Sequence, residues 1–164
     1  MTELPWIKLA RAEIGVHEIK GTLDEPKVLG YFKDAGFAGI QDDETAWCAA
    51  FVGAMLKRSG ITPSGSLSAR SYEKWGQKLV SPLYGAIGVK KRTGGPDWAG
   101  HVGFIVGANS TRIYMLGGNQ ADEVSIASFN RSEFTAYRWP PVAMPKVAII
   151  LPSSLVAAQN VTEG

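Results

Sequence analysis

The chain has 164 residues, of which 45% are hydrophobic and 20% charged, and its formal net charge is +2. This composition predicts one globular domain with its own core, and so weak a charge argues against a nucleic-acid-binding protein. The single cysteine, Cys48, excludes an internal disulfide, and no apolar run is long enough to span a membrane.

The N-terminal region predicts one helix followed by an irregular segment. Pro5 stands at a position favoured in a first helical turn, and Trp6, Leu9 and Ile14 recur with helical spacing. Residues 17–39 are punctuated by glycine and proline, which predicts loop and short helical turns. No basic stretch followed by an apolar stretch is visible, so we expect synthesis in the cytoplasm without a signal peptide.

The clearest helical pattern begins near Ala46. Cys48 and Phe51 share its apolar face, and Gly60 provides a stop. A shorter helix is predicted over residues 68–79.

After this region the chain changes to short runs rich in β-forming residues. They span 85–92, 101–108, 112–119, 123–129 and 135–140. Helices followed by such runs predict an α+β domain, residues 1–140, with an antiparallel sheet of about five strands packed on the cysteine helix. Residues 141–164 show no clear period and are interpreted as a C-terminal appendage of unknown role.

Cys48 has two interpretations. Free cysteine is most often a small buried hydrophobe, and the apolar face on which it stands favours a core residue. The first turn of a helix, however, offers unpaired N–H groups and the positive end of the helix dipole, which stabilise a thiolate. This position favours a nucleophile.

Two later residues are candidate partners for that nucleophile. His101 opens a predicted strand after Gly100, where an imidazole can face a helix N-terminus packed on the sheet and accept a thiol proton. Asn119, in LGGNQ at the end of the next strand, could hold the imidazole in the useful tautomer. His17 lies in a loop and is interpreted as a surface residue. The candidates are therefore Cys48 as nucleophile, His101 as base and Asn119 as orienting group.

These residues lie within the stretches TAWCAAFVGAMLKRSG, SARSYEKWG, GHVGFIVG, LGGNQ and YRWP. Together these stretches resemble the CHAP/NlpC-type cell-wall hydrolases, in particular the compact branch found in phage endolysins and in toxins that bacteria inject into rivals. The resemblance covers residues 4–140. One departure is the strand before the histidine, which in the family usually begins with a glycine-aspartate or proline-glycine pair and a hydrophobic run. Here the stretch reads YGAIGVKKRTGGPDWAGH, with a basic end and a turn at residues 94–97.

The resemblance implies a papain-like α+β fold and cleavage of amide bonds in the peptidoglycan stem peptide. By this match the Cys48 thiolate attacks a carbonyl, His101 protonates the leaving amine, water hydrolyses the thioester, and Asn119 orients the ring. The match leaves open whether the enzyme is an endopeptidase or an N-acetylmuramoyl-L-alanine amidase. Such a hydrolase would act in the periplasm or cell wall, released in phage lysis or injected as an antibacterial effector, which would have a cognate immunity protein.

Five further residues are candidates for substrate binding. Trp47 and Trp98 adjoin the nucleophile and the histidine turn, and Gln120 is a candidate oxyanion donor. Arg70 could bind a stem-peptide carboxylate or make a surface salt bridge. Asp43 belongs to an acidic group expected to cap the cysteine helix, and could bind a substrate amine. We expect no cofactor, because one cysteine and two histidines disfavour a metal site. The acids could bind a structural calcium ion, but we do not expect one there.

Two other classes of function stay open. The same triad serves transglutaminase-like or deamidase toxins that act on protein glutamine. Alternatively, Cys48 is only a core residue, in a non-catalytic wall-binding or virion structural module. A redox thiol is disfavoured because the chain has no resolving cysteine. In each case we expect a monomer that neither binds nucleic acid nor inserts into a membrane.

Overall fold

The computed structural model describes residues 3–17, 26–39, 47–92, 94–96, 99–146 and 149–159. Its helices are α1 (Pro5–Ala12), α2 (Pro26–Asp34) and α3 (Cys48–Arg58), with 3-10 helices at Ala69–Lys74 and Arg131–Glu133. Its strands are β1 (Gln77–Leu79), β2 (Ile87–Lys91), β3 (Gly100–Ala108), β4 (Arg112–Gln120), β5 (Glu123–Asn130), β6 (Phe134–Trp139) and β7 (Ala158–Gln159). None of these helices is long and apolar enough to cross a membrane.

The strands form one sheet in the order β1-β6-β2-β3-β4-β5-β7. Every neighbouring pair is antiparallel except β5 and β7, which run parallel. The predicted α+β class is confirmed, and the five predicted strands correspond to β2–β6. β1 lies in the segment predicted as a short helix, which instead forms a 3-10 helix and then this edge strand.

The segment 17–39 contains a regular helix, α2, where the sequence predicted only short turns. Tyr31 and Phe32 are fully buried, and the Tyr31 ring packs edge-to-face on Phe51 of α3 with centroids 5.1 Å apart. Gly30 in the helix interior costs about 1 kcal/mol relative to alanine. Burial of the aromatic face against α3 outweighs this local preference.

The sheet has two chemically different faces near the start of β3. A Cβ at Gly118 would lie 2.7 Å from Phe51 Cβ, and the Phe104 ring packs on Phe51 with centroids 6.3 Å apart. We call this the helix face. Since side chains alternate along a strand, His101 and Ile105 belong to the opposite face. We call it the inner face.

The tail packs back on the sheet. The Ala108 N–H donates to Pro152 O at 2.8 Å, and Asn109 Nδ2 donates to Ser153 O at 2.9 Å. β7 then pairs with β5 at Ala127 and Ser128. These contacts make residues 152–159 part of the same folded body as the strands they touch.

Candidate active site around Cys48 and His101

Cys48 is the first residue of α3, as the sequence predicted for the opening turn, and only 3% of it is exposed. The backbone N–H groups of Val102 and Ala49 are close enough to its sulfur to lower the pKa of the thiol. Burial nevertheless raises the pKa of the Cys48 thiol, because desolvation outweighs these amides and the nearby charge of Arg92. The resting thiol is therefore protonated at neutral pH, although its surroundings contain donors suited to a thiolate.

His101 is held by a fixed amide. Its Nε2 lies 3.0 Å from Gln120 Oε1, and both side chains are fully buried. Gln120 Nε2 donates to Ser125 O at 2.8 Å and to Met115 O at 3.2 Å. Because a carbonyl can only accept, these two bonds fix which end of the Gln120 amide is oxygen. The oxygen therefore accepts a hydrogen bond from the Nε2–H group of His101, which leaves Nδ1 as the basic nitrogen of the ring.

In the structure Gln120, and not Asn119 as the sequence predicted, makes the hydrogen bond that orients the His101 ring. The pairing of β4 with β5 shifts register between Gly117 and Gln120, and Asn119 has a left-handed backbone with φ 59°. Such a bulge adds one residue to the alternation of side chains. As a result Gln120 lies on the same face as Gly117, where its Oε1 is 2.6 Å from the position of a Cβ on that glycine.

The structure does not place the imidazole on the thiol. Gln120, and with it the His101 ring, lies on the inner face with Gly117, whereas a Cβ at Gly118 would meet Trp47 on the helix face. The Cys48 sulfur reaches the backbone amide of Val102 instead. The expected orientation of His101 towards the helix N-terminus is therefore not the one observed, because strand alternation gives that face to the flanking residues of β3.

Trp47 is a core residue rather than a cleft residue in this structure. It is fully buried, its ring stacks on Tyr31 with centroids 5.9 Å apart, and it packs against the bare backbone of Gly118. It thus offers no surface to a substrate. The candidates Trp98 and Asp43 lie outside the described residues.

Arg70 lies beside the start of β3. Its Cγ is 2.5 Å from the position of a Cβ on Gly100, the residue before His101. Its guanidinium binds both carboxylate oxygens of Glu73, with Nε and Nη2 each at 3.1 Å. The surface salt bridge that the sequence left open as the alternative is therefore present. His17 is exposed, as predicted.

No protein-family model matches the chain, and no curated protein matches it. Within the described ranges, no group of three or more histidine, cysteine, aspartate or glutamate side chains is placed to hold a metal ion. The chemistry that this part of the structure offers is thus a thiol surrounded by amide donors and, across β3, an imidazole with a defined basic nitrogen.

Proposed function

We propose that the protein is a cysteine hydrolase of papain-like fold that cleaves amide bonds in the stem peptide of peptidoglycan. The observation that carries the proposal is the Gln120 amide, fixed by two carbonyls and accepting from His101 Nε2. A buried histidine held in one tautomer is the arrangement that a general base needs. The substrate class follows from the resemblance of the motifs to cell-wall hydrolases.

In this mechanism Cys48 is the nucleophile, His101 the base and Gln120 the orienting group. Nδ1 removes the thiol proton, the thiolate attacks the stem-peptide carbonyl, and the imidazolium protonates the leaving amine. The N–H groups at the start of α3 that contact the sulfur are candidates to stabilise the oxyanion. The mechanism requires Nδ1 and the sulfur to come into hydrogen-bond contact in the substrate complex. Because the ring lies on the inner face, that contact requires the start of β3 to change its backbone conformation when substrate binds.

A second candidate function is a non-catalytic wall-binding or virion structural module. The observation that favours it is the burial of Cys48 together with the raised pKa of its thiol. Structural cysteines buried in apolar surroundings are inert, whereas catalytic ones are at least partly accessible. The two candidates differ in whether removal of the sulfur changes activity.

Purified peptidoglycan digestion followed by mass spectrometry of the released fragments tests the proposal. We expect wild type to release stem-peptide fragments, Cys48→Ala and His101→Ala to release none, and the matched control His17→Ala to behave as wild type. The masses identify the bond that is cut. If wild type releases no fragments, the non-catalytic module is favoured. If wild type and Cys48→Ala release fragments equally, Cys48 is not the nucleophile and the proposed mechanism is refuted.

A further inference from the structure

A buried ion pair lies next to His101 on the inner face. Lys90 of β2 is directly paired with His101 of β3, and its side chain is completely buried. Its Nζ lies 3.2 Å from Glu133 Oε2 and donates to Lys91 O at 2.7 Å. The glutamate side chain is 29% exposed, so one charge of the pair is shielded from water much more than the other.

The Phe129 ring connects this pair to the imidazole. Lys90 Nζ lies 5.0 Å from the centroid of the Phe129 ring, and the His101 ring centroid lies 5.4 Å from the same centroid. Phe129 thus contacts the ammonium and the imidazole together. Because Lys90, Phe129 and His101 are all buried, the interaction between the ammonium and the imidazole is weakly screened.

A buried ion pair of this kind is poor evidence for stability. Removing the lysine charge from water costs several kcal/mol, and an apolar replacement of similar volume is often at least as stable. The burial of Lys90 is therefore not explained by a gain in stability. The residue paired with it on β3 is His101, the candidate catalytic base.

We propose that the Lys90–Glu133 pair is a positioning element that sets the protonation balance of His101 through the Phe129 contact. The lysine charge disfavours the imidazolium, and the glutamate charge offsets it. This inference rests on the proposed function only for the role of His101 as the general base.

The groups around His101 in the described part of the chain come from every element packed against it. They are Lys90 from β2, Gln120 from β4, Phe129 from β5, Glu133 from the second 3-10 helix, and, across β3, Cys48 with the Arg70–Glu73 pair. Arg92 acts on the Cys48 sulfur, whereas, among these described groups, Lys90 lies beside the ring and Glu133 is paired with Lys90. Their charges should therefore act on the imidazole in opposite directions.

The test is a titration of the two histidine rings by heteronuclear NMR in four proteins. These are wild type, Lys90→Met, Glu133→Gln and the double variant. His17 is exposed and serves as the reference within each sample. We expect the His101 midpoint to rise in Lys90→Met and to fall in Glu133→Gln, each by roughly half a pH unit. In the double variant it should return close to the wild-type value.

Opposite shifts of the His101 midpoint in the two single variants, with recovery in the double variant, identify an electrostatic role. A merely structural pair would shift the His101 midpoint in the same direction in both single variants, or in neither. Shifts of equal sign, or none, overturn the inference. If Glu133→Gln does not fold, the rise in Lys90→Met and the recovery in the double variant still decide the matter. The readout needs no activity: an inert wild type would refute the hydrolase while leaving the titration valid, and cleavage with unshifted midpoints would refute only this inference.

Discussion

Replacing Gln120 by leucine tests the assignment of the orienting group most directly. The change removes the acceptor of His101 Nε2 and the donor to Ser125 O and Met115 O. The Gln120 and His101 side chains are both fully buried, so water cannot replace the lost acceptor of His101 Nε2, whereas Ser125 is only half-buried.

The expected loss of stability follows from those contacts. A buried donor or acceptor left without its partner costs about 1–3 kcal/mol, and a group that merely exchanges its bond for water loses much less. Gln120→Leu leaves the Nε2–H group of His101 without an acceptor and the carbonyl of Met115 without its donor. We therefore expect the free energy of unfolding to fall by about 2–4 kcal/mol. Under the proposed function, cleavage of peptidoglycan should also fall, because the ring loses its fixed tautomer.

The assay is urea unfolding, with Gln77→Leu as the matched control. Gln77 is also a glutamine whose Nε2 donates to two carbonyls, those of Pro140 and Val142 at 2.9 Å each, but it is exposed. Water can take over its bonds, so its replacement should cost less than about 1 kcal/mol. If Gln120→Leu costs no more than Gln77→Leu, then the described contact to His101 is not the one that holds the ring.

Two further predictions follow from the same packing. Burial raises the pKa of the Cys48 thiol, so the stability it confers is complete below the ordinary thiol range and is lost as the pH rises through the folded-state value. Urea unfolding of wild type and Cys48→Ala at several alkaline pH values should therefore show the wild type losing stability faster; parallel curves would contradict the burial. Gly118→Ala should cost about 1–3 kcal/mol, because its Cβ would lie 2.7 Å from Phe51 Cβ and from Trp47 Cζ3. The control Gly39→Ala, with no atom within 4 Å of the new Cβ, should be nearly neutral, and equal melting temperatures of the two variants would argue against this packing.

Local patterns were sufficient to predict the elements whose residues carry a clear period. The five β-rich runs and the helix starting at Cys48 were predicted within about two residues, since alternation and helical spacing are properties of neighbouring residues. α2 was missed because Gly30 interrupts its pattern, and β7 was missed because two residues carry no period. In these elements packing against the rest of the molecule outweighs local preference.

The sequence alone determined which reactive groups are available and where each stands in its own element: a lone thiol opening a helix, a histidine opening a strand, and an amide pair ending the next strand. Only the tertiary structure decided which amide holds the ring and which way the ring points. Both depend on a single extra residue in β4 and on the face of β3 that α3 covers. Strand pairing and helix docking set these features, and no local pattern encodes them.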